Sequence, residues 1–290
     1  MKFGLNVPQC GAYGDVRVLV ERARWAEDAG WDGFFIWDHL YLDPAIQPMV
    51  DPWVALAAIA LATNRVRIGT LVTPVARRRP WKLARETVAV DHLSGGRLIL
   101  GVGLGDPAQW EFEAFGEEGE PKVRAEKLDE GLDVLTGLWT GKLFSFAGKH
   151  YQVRDVAFTP TPVQKPRIPV WVACTVGKPR PLRRAARWDG AFPQSGGDMD
   201  APPLTPAQMR DLLAFITANR TSSGPYDLVM GGRTLAKDRR QDAAFVSSYE
   251  QTGVTWWMEE LNPWVYGWEA GRAFPSRQMD ERIRSGPPKP

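Results

Sequence analysis

The sequence predicts an α/β chain folded as a (β/α)8 (TIM) barrel, and three observations predict it. Eight short runs, apolar on both faces, recur along 290 residues, as parallel strands covered on both sides must be. Each run is followed by a segment with helical spacing and its own capping residues. The stretch from Arg65 to Asp106, RVRIGTLVTPVARRRPWKLARETVAVDHLSGGRLILGVGLGD, packs strand, polar loop, helix, turn, strand and glycine-rich loop into one repeating unit. Strand followed by helix eight times argues for a closed barrel over an open sheet.

Taken in order, strands are expected at Lys2 to Val7, Gly33 to Trp37, Arg65 to Val72 and Arg97 to Gly103, then at Pro169 to Ala173, Asp189 to Pro193, Asp227 to Gly231 and Thr255 to Leu261. Asp15 starts the first helix, which closes at Gly30, and Asp51-Pro52 supplies an N-cap with proline at the first helical position. Pro80 opens a third helix that ends near the Ser94-Gly95-Gly96 turn. Further helices are expected at about Pro121 to Trp139, Pro179 to Ala186, Pro206 to Asn219 and Asp238 to Thr252, with a last one inside Tyr266 to Arg284. Thr140 to Ile168 breaks the alternation. It holds FSFAGKHYQV, which reads as a hairpin, then a proline-rich tether, and forms an insertion between the fourth helix and the fifth strand. The long loops after strands two and six, and the Pro-, Gly- and Asp-rich segment Gln194 to Thr205, include candidate lids. No linker divides the chain, so residues 1–290 are read as one domain.

Composition narrows the partners. With 44% hydrophobic and 24% charged residues the chain is ordinary for a globular protein with one large core. Its net charge of +2, from 36 basic against 34 acidic residues, provides no broad footprint for nucleic acid or an anionic membrane. The longest apolar run, Trp53 to Ala62, falls well short of the roughly 18 residues needed to suspect a membrane span. Cys10 and Cys174 have neither disulfide-framework nor zinc-ligand spacing, and a reducing cytoplasm fits them. The three histidines, His39, His92 and His150, have no metal-ligand spacing, so no metal is expected.

The chemistry is expected where strands meet loops at the C-terminal face of the barrel. Asp38-His39 ends the second strand. A histidine there can relay a proton or hydrogen-bond a heterocycle while the adjacent carboxylate sets its tautomer, although a satisfied loop histidine beside a capping aspartate is the blander reading. Gly101-Val-Gly103-Leu-Gly105 fails the dinucleotide pattern because Asp106 and Pro107 follow. It is read as backbone approaching a flat ligand, with Asp106 or Gln109 presented to it, or as a tight turn. Thr70-Leu71-Val72-Thr73-Pro74 ends the third strand with hydroxyls and backbone groups suited to a heterocyclic edge, although threonines at a strand end need no ligand to explain them. Arg77 to Arg79 suit a phosphate tail or a solvated face. Ala173-Cys174-Thr175-Val176-Gly177-Lys178 leads into a helix from Pro179 whose free amides, with Lys178, Arg180 and Arg183, suit a phosphate. Glu259 and Glu260 are spare carboxylates for a general acid. Tryptophans 37, 110, 256, 257 and 264 are mostly core but are candidates to wall a planar cofactor.

Together the motifs WDHL at 37–40, RRPWKLARETVAVDHLSGGRLILGVGLG at 78–105, LWTGKLFSFAGKHYQV at 138–153, PVQKPRIPVWVA at 162–173 and RRAARWDGAFP at 183–193 resemble the bacterial luciferase-like superfamily of flavin- and deazaflavin-dependent oxidoreductases. The resemblance covers most of the chain. It implies FMN or the deazaflavin coenzyme F420 at the C-terminal face, bent over a backbone bulge that in deazaflavin members is a non-proline cis peptide, here Leu71-Val72. It implies that Asp38 binds the cofactor, that His39 donates or accepts a proton, and that Thr70, Leu71, Val72, Leu104, Gly105, Asp106 and Gln109 flank the ring. Asp106 stands where some members use glutamate as a catalytic acid. Ala173, Thr175, Val176 and Gly177 match the phosphate-binding turn, without the paired glycines often found there. A homodimer built over barrel helices is also implied.

The reading is a cytoplasmic redox enzyme acting on a small organic substrate by hydride exchange with a deazaflavin or FMN. The alternative is an FMNH2-dependent monooxygenase using oxygen and supplied by a partner reductase. Further alternatives are a non-redox barrel hydrolase using Asp38, His39 and Glu259, and a flavin-binding protein without turnover.

Overall fold

The computed structural model describes residues 1–196, 203–234 and 238–289. Half of the candidate lid Gln194 to Thr205, residues 197–202, lies outside the described residues. The first four strands, β1 (Lys2–Val7), β2 (Gly33–Ile36), β3 (Arg67–Pro74) and β4 (Leu98–Gly103), join β7 (Val170–Thr175), β8 (Gly190–Gln194), β9 (Asp227–Gly232) and β10 (Trp256–Glu260) in a closed parallel barrel. The expected (β/α)8 architecture is therefore present. The insertion is also present, as an antiparallel pair, β5 (Phe144–Ala147) and β6 (Gln152–Val156), outside the barrel.

The helices start where their caps predict. α1 (Val16–Asp28) begins after Asp15, which accepts from the Arg17 amide, and α2 (Pro52–Ala62) after Asp51, which accepts from the Trp53 and Val54 amides. α3 (Pro80–Leu93) opens on proline and stops at Ser94 before two glycines with positive φ. A short α4 (Ala108–Glu111) is absent from the expected order and follows the cis peptide Asp106-Pro107. The outer layer is completed by α5 (Pro121–Trp139), α6 (Pro179–Ala186), α7 (Pro206–Asn219), α8 (Arg239–Glu250) and α9 (Ser276–Arg284). None of the helices among the described residues is long and apolar enough to cross a membrane.

Side-chain alternation along the strands divides the core into two shells. The larger lies between barrel and helices. The smaller fills the barrel interior with Phe35, Leu71, Ile99, Trp171, Phe192, Val229, Trp256 and Met258. Phe35 stacks on Trp171 at 5.2 Å between ring centroids, and Trp171 meets Trp256 edge-on at 5.3 Å. These large rings plug the barrel, so a ligand is confined to the mouth above them. Trp256 and Trp257, which the sequence offers as cofactor walls, are fully buried core residues instead.

Candidate active site

The β3 strand carries a cis peptide at Leu71-Val72, where the family resemblance places the bulge, and the ladder to β4 shifts register between Thr70 and Thr73. The glycines of β4 fit that irregularity. A Cβ on Gly101 would run into the Thr70 carbonyl oxygen, and one on Gly103 would press on Val72 and stand 3.4 Å from the Ala173 Cβ. Gly105 adopts φ +85, which favours glycine. Packing between strands accounts for the glycine run without a ligand. The same contacts bring Val72, Gly103 and Ala173 side by side at the C-terminal end of the barrel, with Val72 and Ala173 packed on the interior shell.

Beside this surface lies a buried ionic cluster. Asp38, 2% exposed, accepts from the Thr73 hydroxyl at 2.7 Å and the Trp53 indole N–H at 3.2 Å. Its carboxylate also accepts from Arg77 at 2.5 Å and from Arg78 Nη2 at 2.8 Å. Burial by itself would raise the Asp38 pKa, but the Arg78 and Arg77 guanidiniums and these hydrogen bonds outweigh it and hold the carboxyl below its ordinary range. Of the arginine run, Arg77 and Arg78 are spent on internal carboxylates and only Arg79 is exposed. Thr70 is fully buried, and its hydroxyl donates to the Gly101 carbonyl and lies 2.9 Å from the Thr73 hydroxyl, whose own proton goes to Asp38. Asp38 and Thr70 are therefore both buried and hydrogen-bonded within the fold.

Glu111 completes the cluster and is the residue that sequence reasoning misses. It is 1% exposed at the end of α4, and its Oε2 accepts from Arg77. Its Oε1 lies 3.0 Å from His39 Nδ1 and accepts from the backbone amides of Leu40 at 3.1 Å and Tyr41 at 3.4 Å. The signal available in sequence is an acid between Trp110 and Phe112, unusual unless paired, together with arginines lacking a local partner.

His39 is fixed from both ends. Gln9 donates to its carbonyl at 2.9 Å, and the Glu111 carboxylate, an acceptor only, assigns the ring proton to Nδ1. Nε2 then carries the free lone pair and has no hydrogen-bond partner among the described residues. Burial, with Arg77 adding to it, pushes the His39 pKa down to about 4 against the pull of Asp38 and Asp106. The Trp37 ring meets it edge-on at 5.7 Å and stacks on Trp264, and Trp110 meets Tyr41 nearby. A neutral imidazole with one fixed proton and one open lone pair can accept a proton or hydrogen-bond a heterocycle.

The remaining candidates divide by exposure. Leu104, Gly105, Thr175 and Val176 are half-buried, and Asp106, Gln109 and Gly177 are exposed. Arg124 of α5 donates to the Leu104 carbonyl at 3.2 Å and the Gly105 carbonyl at 2.5 Å, holding that loop against α5. Gly177, Lys178, Arg180 and Arg183 line an open basic groove at the start of α6. Glu259 faces away from the mouth. It is fully buried, ion-paired to Arg282 at 3.2 Å and hydrogen-bonded by Thr234 and Trp257, so the hydrolase alternative loses its third residue.

Residues 1–266 match the family model described as luciferase-like monooxygenase. An F420-dependent glucose-6-phosphate dehydrogenase from Amycolatopsis mediterranei (strain U-32) is 35% identical over 189 residues, 63% of this chain and 55% of that protein. A protein of the same name from Gordonia bronchialis is 34% identical over 201 residues, 67% of this chain and 58% of that protein. The chain spans about half the length of the curated relatives it matches. Among solved structures, monooxygenase RslO1 from Streptomyces bottropensis superposes with TM-score 0.72 at 22% identity, covering 98% of this chain and 97% of that chain. An F420-dependent secondary alcohol dehydrogenase in complex with an F420–acetone adduct gives 0.75 at 16% identity, covering 99% and 98%. At those identities the structural likeness concerns the fold alone, whereas the match through residue 266 concerns the sequence. This chain belongs to the luciferase-like monooxygenase family.

Proposed function

We propose that this protein is an oxidoreductase that binds the deazaflavin coenzyme F420 at the barrel mouth and serves hydride exchange with a small organic substrate. The observation that carries the reading is the geometry of His39, whose Nδ1 is tied to Glu111 at 3.0 Å and whose Nε2 is left open. The surroundings fit a flavin-type group. Val72, Gly103 and Ala173 offer an apolar ledge for a ring, and the groove of Lys178, Arg180 and Arg183 offers positive charge to an anionic tail. The choice of deazaflavin over FMN is supported by the relatives above 30% identity, several of which are named as F420-dependent. A structural neighbour in complex with FMN is 17% identical and shares the fold only.

The coenzyme, when bound, supplies the hydride chemistry. The chain supplies the rest. His39 Nε2 is the atom that takes up or returns the substrate proton, and Glu111 keeps that lone pair available by holding the proton on the other nitrogen. Arg77, clamped between Glu111 and Asp38, ties the residue after β2 to the end of α4. Asp106 and Gln109 stand exposed at the rim, where a ring edge or substrate would meet them.

The test is to titrate the purified protein with F420 and with FMN, following tryptophan fluorescence, and to repeat it with His39→Ala. Tight F420 binding that survives the substitution, with turnover reduced on the order of 10²–10⁴-fold, is expected. A clear preference for FMN would redirect the reading to an oxygen-using monooxygenase fed by a reductase, and binding of neither would overturn it.

A further inference from the structure

The last barrel strand ends on two consecutive acids with opposite environments. Trp256 and Met258 of β10 face the barrel interior, and the alternation of the strand carries Glu260 to the same face at the mouth. Parallel register with β1 sets Asn6 directly beside it, and the Asn6 side-chain amide donates to Glu260 Oε2 at 2.8 Å. On the other flank, a Cβ on Gly231 of β9 would stand 2.8 Å from Glu260 Oε1, so the glycine makes room for the carboxyl.

Among the described residues no ion pair uses this carboxyl. Among the described residues its only hydrogen bond is the one from Asn6, although a carboxyl offers about four acceptor positions. No cation faces it. From β1 it meets Asn6 and from β9 it meets Gly231, and among the described residues the one charge acting on it is Glu259, which is turned away into the Arg282 pair. Burial, opposed by the Asn6 hydrogen bond and helped by Glu259, pushes Glu260 up to about 8, which leaves it protonated and a hydrogen-bond donor at neutral pH. Asn6 Oδ1 is also buried without a partner. Burying under-bonded polar groups destabilises a fold, and these stand over the interior shell on which Val72 and Ala173 also pack. Glu260 is only half-buried, so it can be reached from the mouth.

We propose that Glu260, positioned by Asn6, contacts the substrate by donating a hydrogen bond to the carbonyl oxygen of a neutral ketone or aldehyde held in the barrel mouth. The inference rests on the function proposed above, which is what brings a substrate to this mouth. A neutral carboxyl donates to such an oxygen, whereas a carboxylate can only accept and therefore repels it. An alcohol behaves differently, because its hydroxyl can donate to the ionised form.

The test uses the full chain and two probes, cyclohexanone and cyclohexanol, with binding followed by ligand-observed NMR at about pH 6.5 and about pH 9.5, on either side of the Glu260 titration. For the parent, the ketone should bind about tenfold more weakly at the higher pH, with the alcohol little changed. Glu260→Gln, a permanent donor of the same shape, should keep ketone binding and lose its pH dependence. Glu260→Leu should weaken the ketone about tenfold at both pH values. Infrared difference spectra should show a carboxylic acid band that titrates near pH 8 in the parent and is missing from both variants. Ketone binding indifferent to residue 260, no binding of either probe, or no such band would overturn the assignment. F420 titration of the same variants separates the two readings. Retained coenzyme binding with a failed ketone test sinks only the role of Glu260, whereas a parent that binds no coenzyme sinks the proposed function.

Discussion

Replacing Glu111 tests whether a single buried carboxylate sets the state of His39. In Glu111→Gln the side chain keeps one acceptor and gains one donor, while its partners are His39 Nδ1, the Leu40 and Tyr41 amides, and Arg77 Nη1. All four are donors. With the amide oxygen toward His39 and the two backbone N–H groups, only Arg77 confronts a donor, whereas the opposite orientation strands the other three. The first orientation therefore wins. The cost is one charge-assisted bond, about 2 kcal/mol of stability, and His39 keeps its proton on Nδ1. Glu111→Ala removes every acceptor and leaves Arg77, 7% exposed, with Asp38 as its remaining carboxylate. Breaking a buried pair in this way costs about 3–5 kcal/mol, and the ring proton is no longer held on Nδ1. Urea unfolding reads the first quantity, and two-dimensional NMR of the 15N-labelled imidazole reads the second. Turnover should fall on the order of 10²-fold in the alanine variant if His39 moves the proton. An unchanged Nδ1–H tautomer in Glu111→Ala, or a stability loss below about 0.5 kcal/mol, would refute the idea that Glu111 holds the histidine.

The same logic separates the two aspartates named as catalytic candidates. Asp38→Asn leaves the Arg77 and Arg78 guanidiniums without their shared carboxylate and should cost about 3–5 kcal/mol in urea unfolding, whereas exposed Asp106→Asn should stay within about 0.5 kcal/mol. Equal effects would show that the buried cluster is not what stabilises the loop. Gly101→Ala forces a methyl against the Thr70 backbone and should lower stability by about 1–3 kcal/mol; an unaltered unfolding midpoint would mean that β3 and β4 are not in that contact. Stability should also depend on Glu260. Its folded pKa of about 8 exceeds the ordinary 4.5, so between those values the folded chain holds a proton that the unfolded chain has released. The contribution is full below about pH 4.5 and lost as pH rises through about 8. Glu260→Gln should flatten that decline, and a parent curve already flat from pH 5 to 8 would contradict the buried neutral acid.

The framework of the barrel is legible in the sequence because its signals are local. Asp15, Asp51 and Thr205 cap helices with their own side chains, Pro80, Pro121 and Pro206 fix first turns, and both-face burial marks each strand. Such devices act within a few residues and survive any tertiary arrangement. The boundaries move where tertiary pairing decides them. β3 runs two residues past Val72 because Thr73 and Pro74 find partners on β4 beyond the register shift, and β7 runs to Thr175 because Gln194 pairs with it.

The candidate site is legible only in outline. Asp38-His39 announces itself at a strand end, yet what makes His39 useful is a carboxylate 72 positions away on a four-residue helix too short to show periodicity. The arginine run misleads for a related reason. Seen along the chain, three adjacent cations look solvated, because the two acids that neutralise Arg77 and Arg78 arrive from β2's end and from α4. Glu259 and Glu260 carry the argument furthest. They are identical residues one position apart, and no local property distinguishes them. Strand alternation turns one outward, onto Arg282, and the other inward, onto Asn6. A parity of one residue thus decides which acid is a spent structural ion and which remains protonated at the mouth. That parity can be inferred from sequence only once the inward set Trp256 and Met258 is known, which requires the closed barrel.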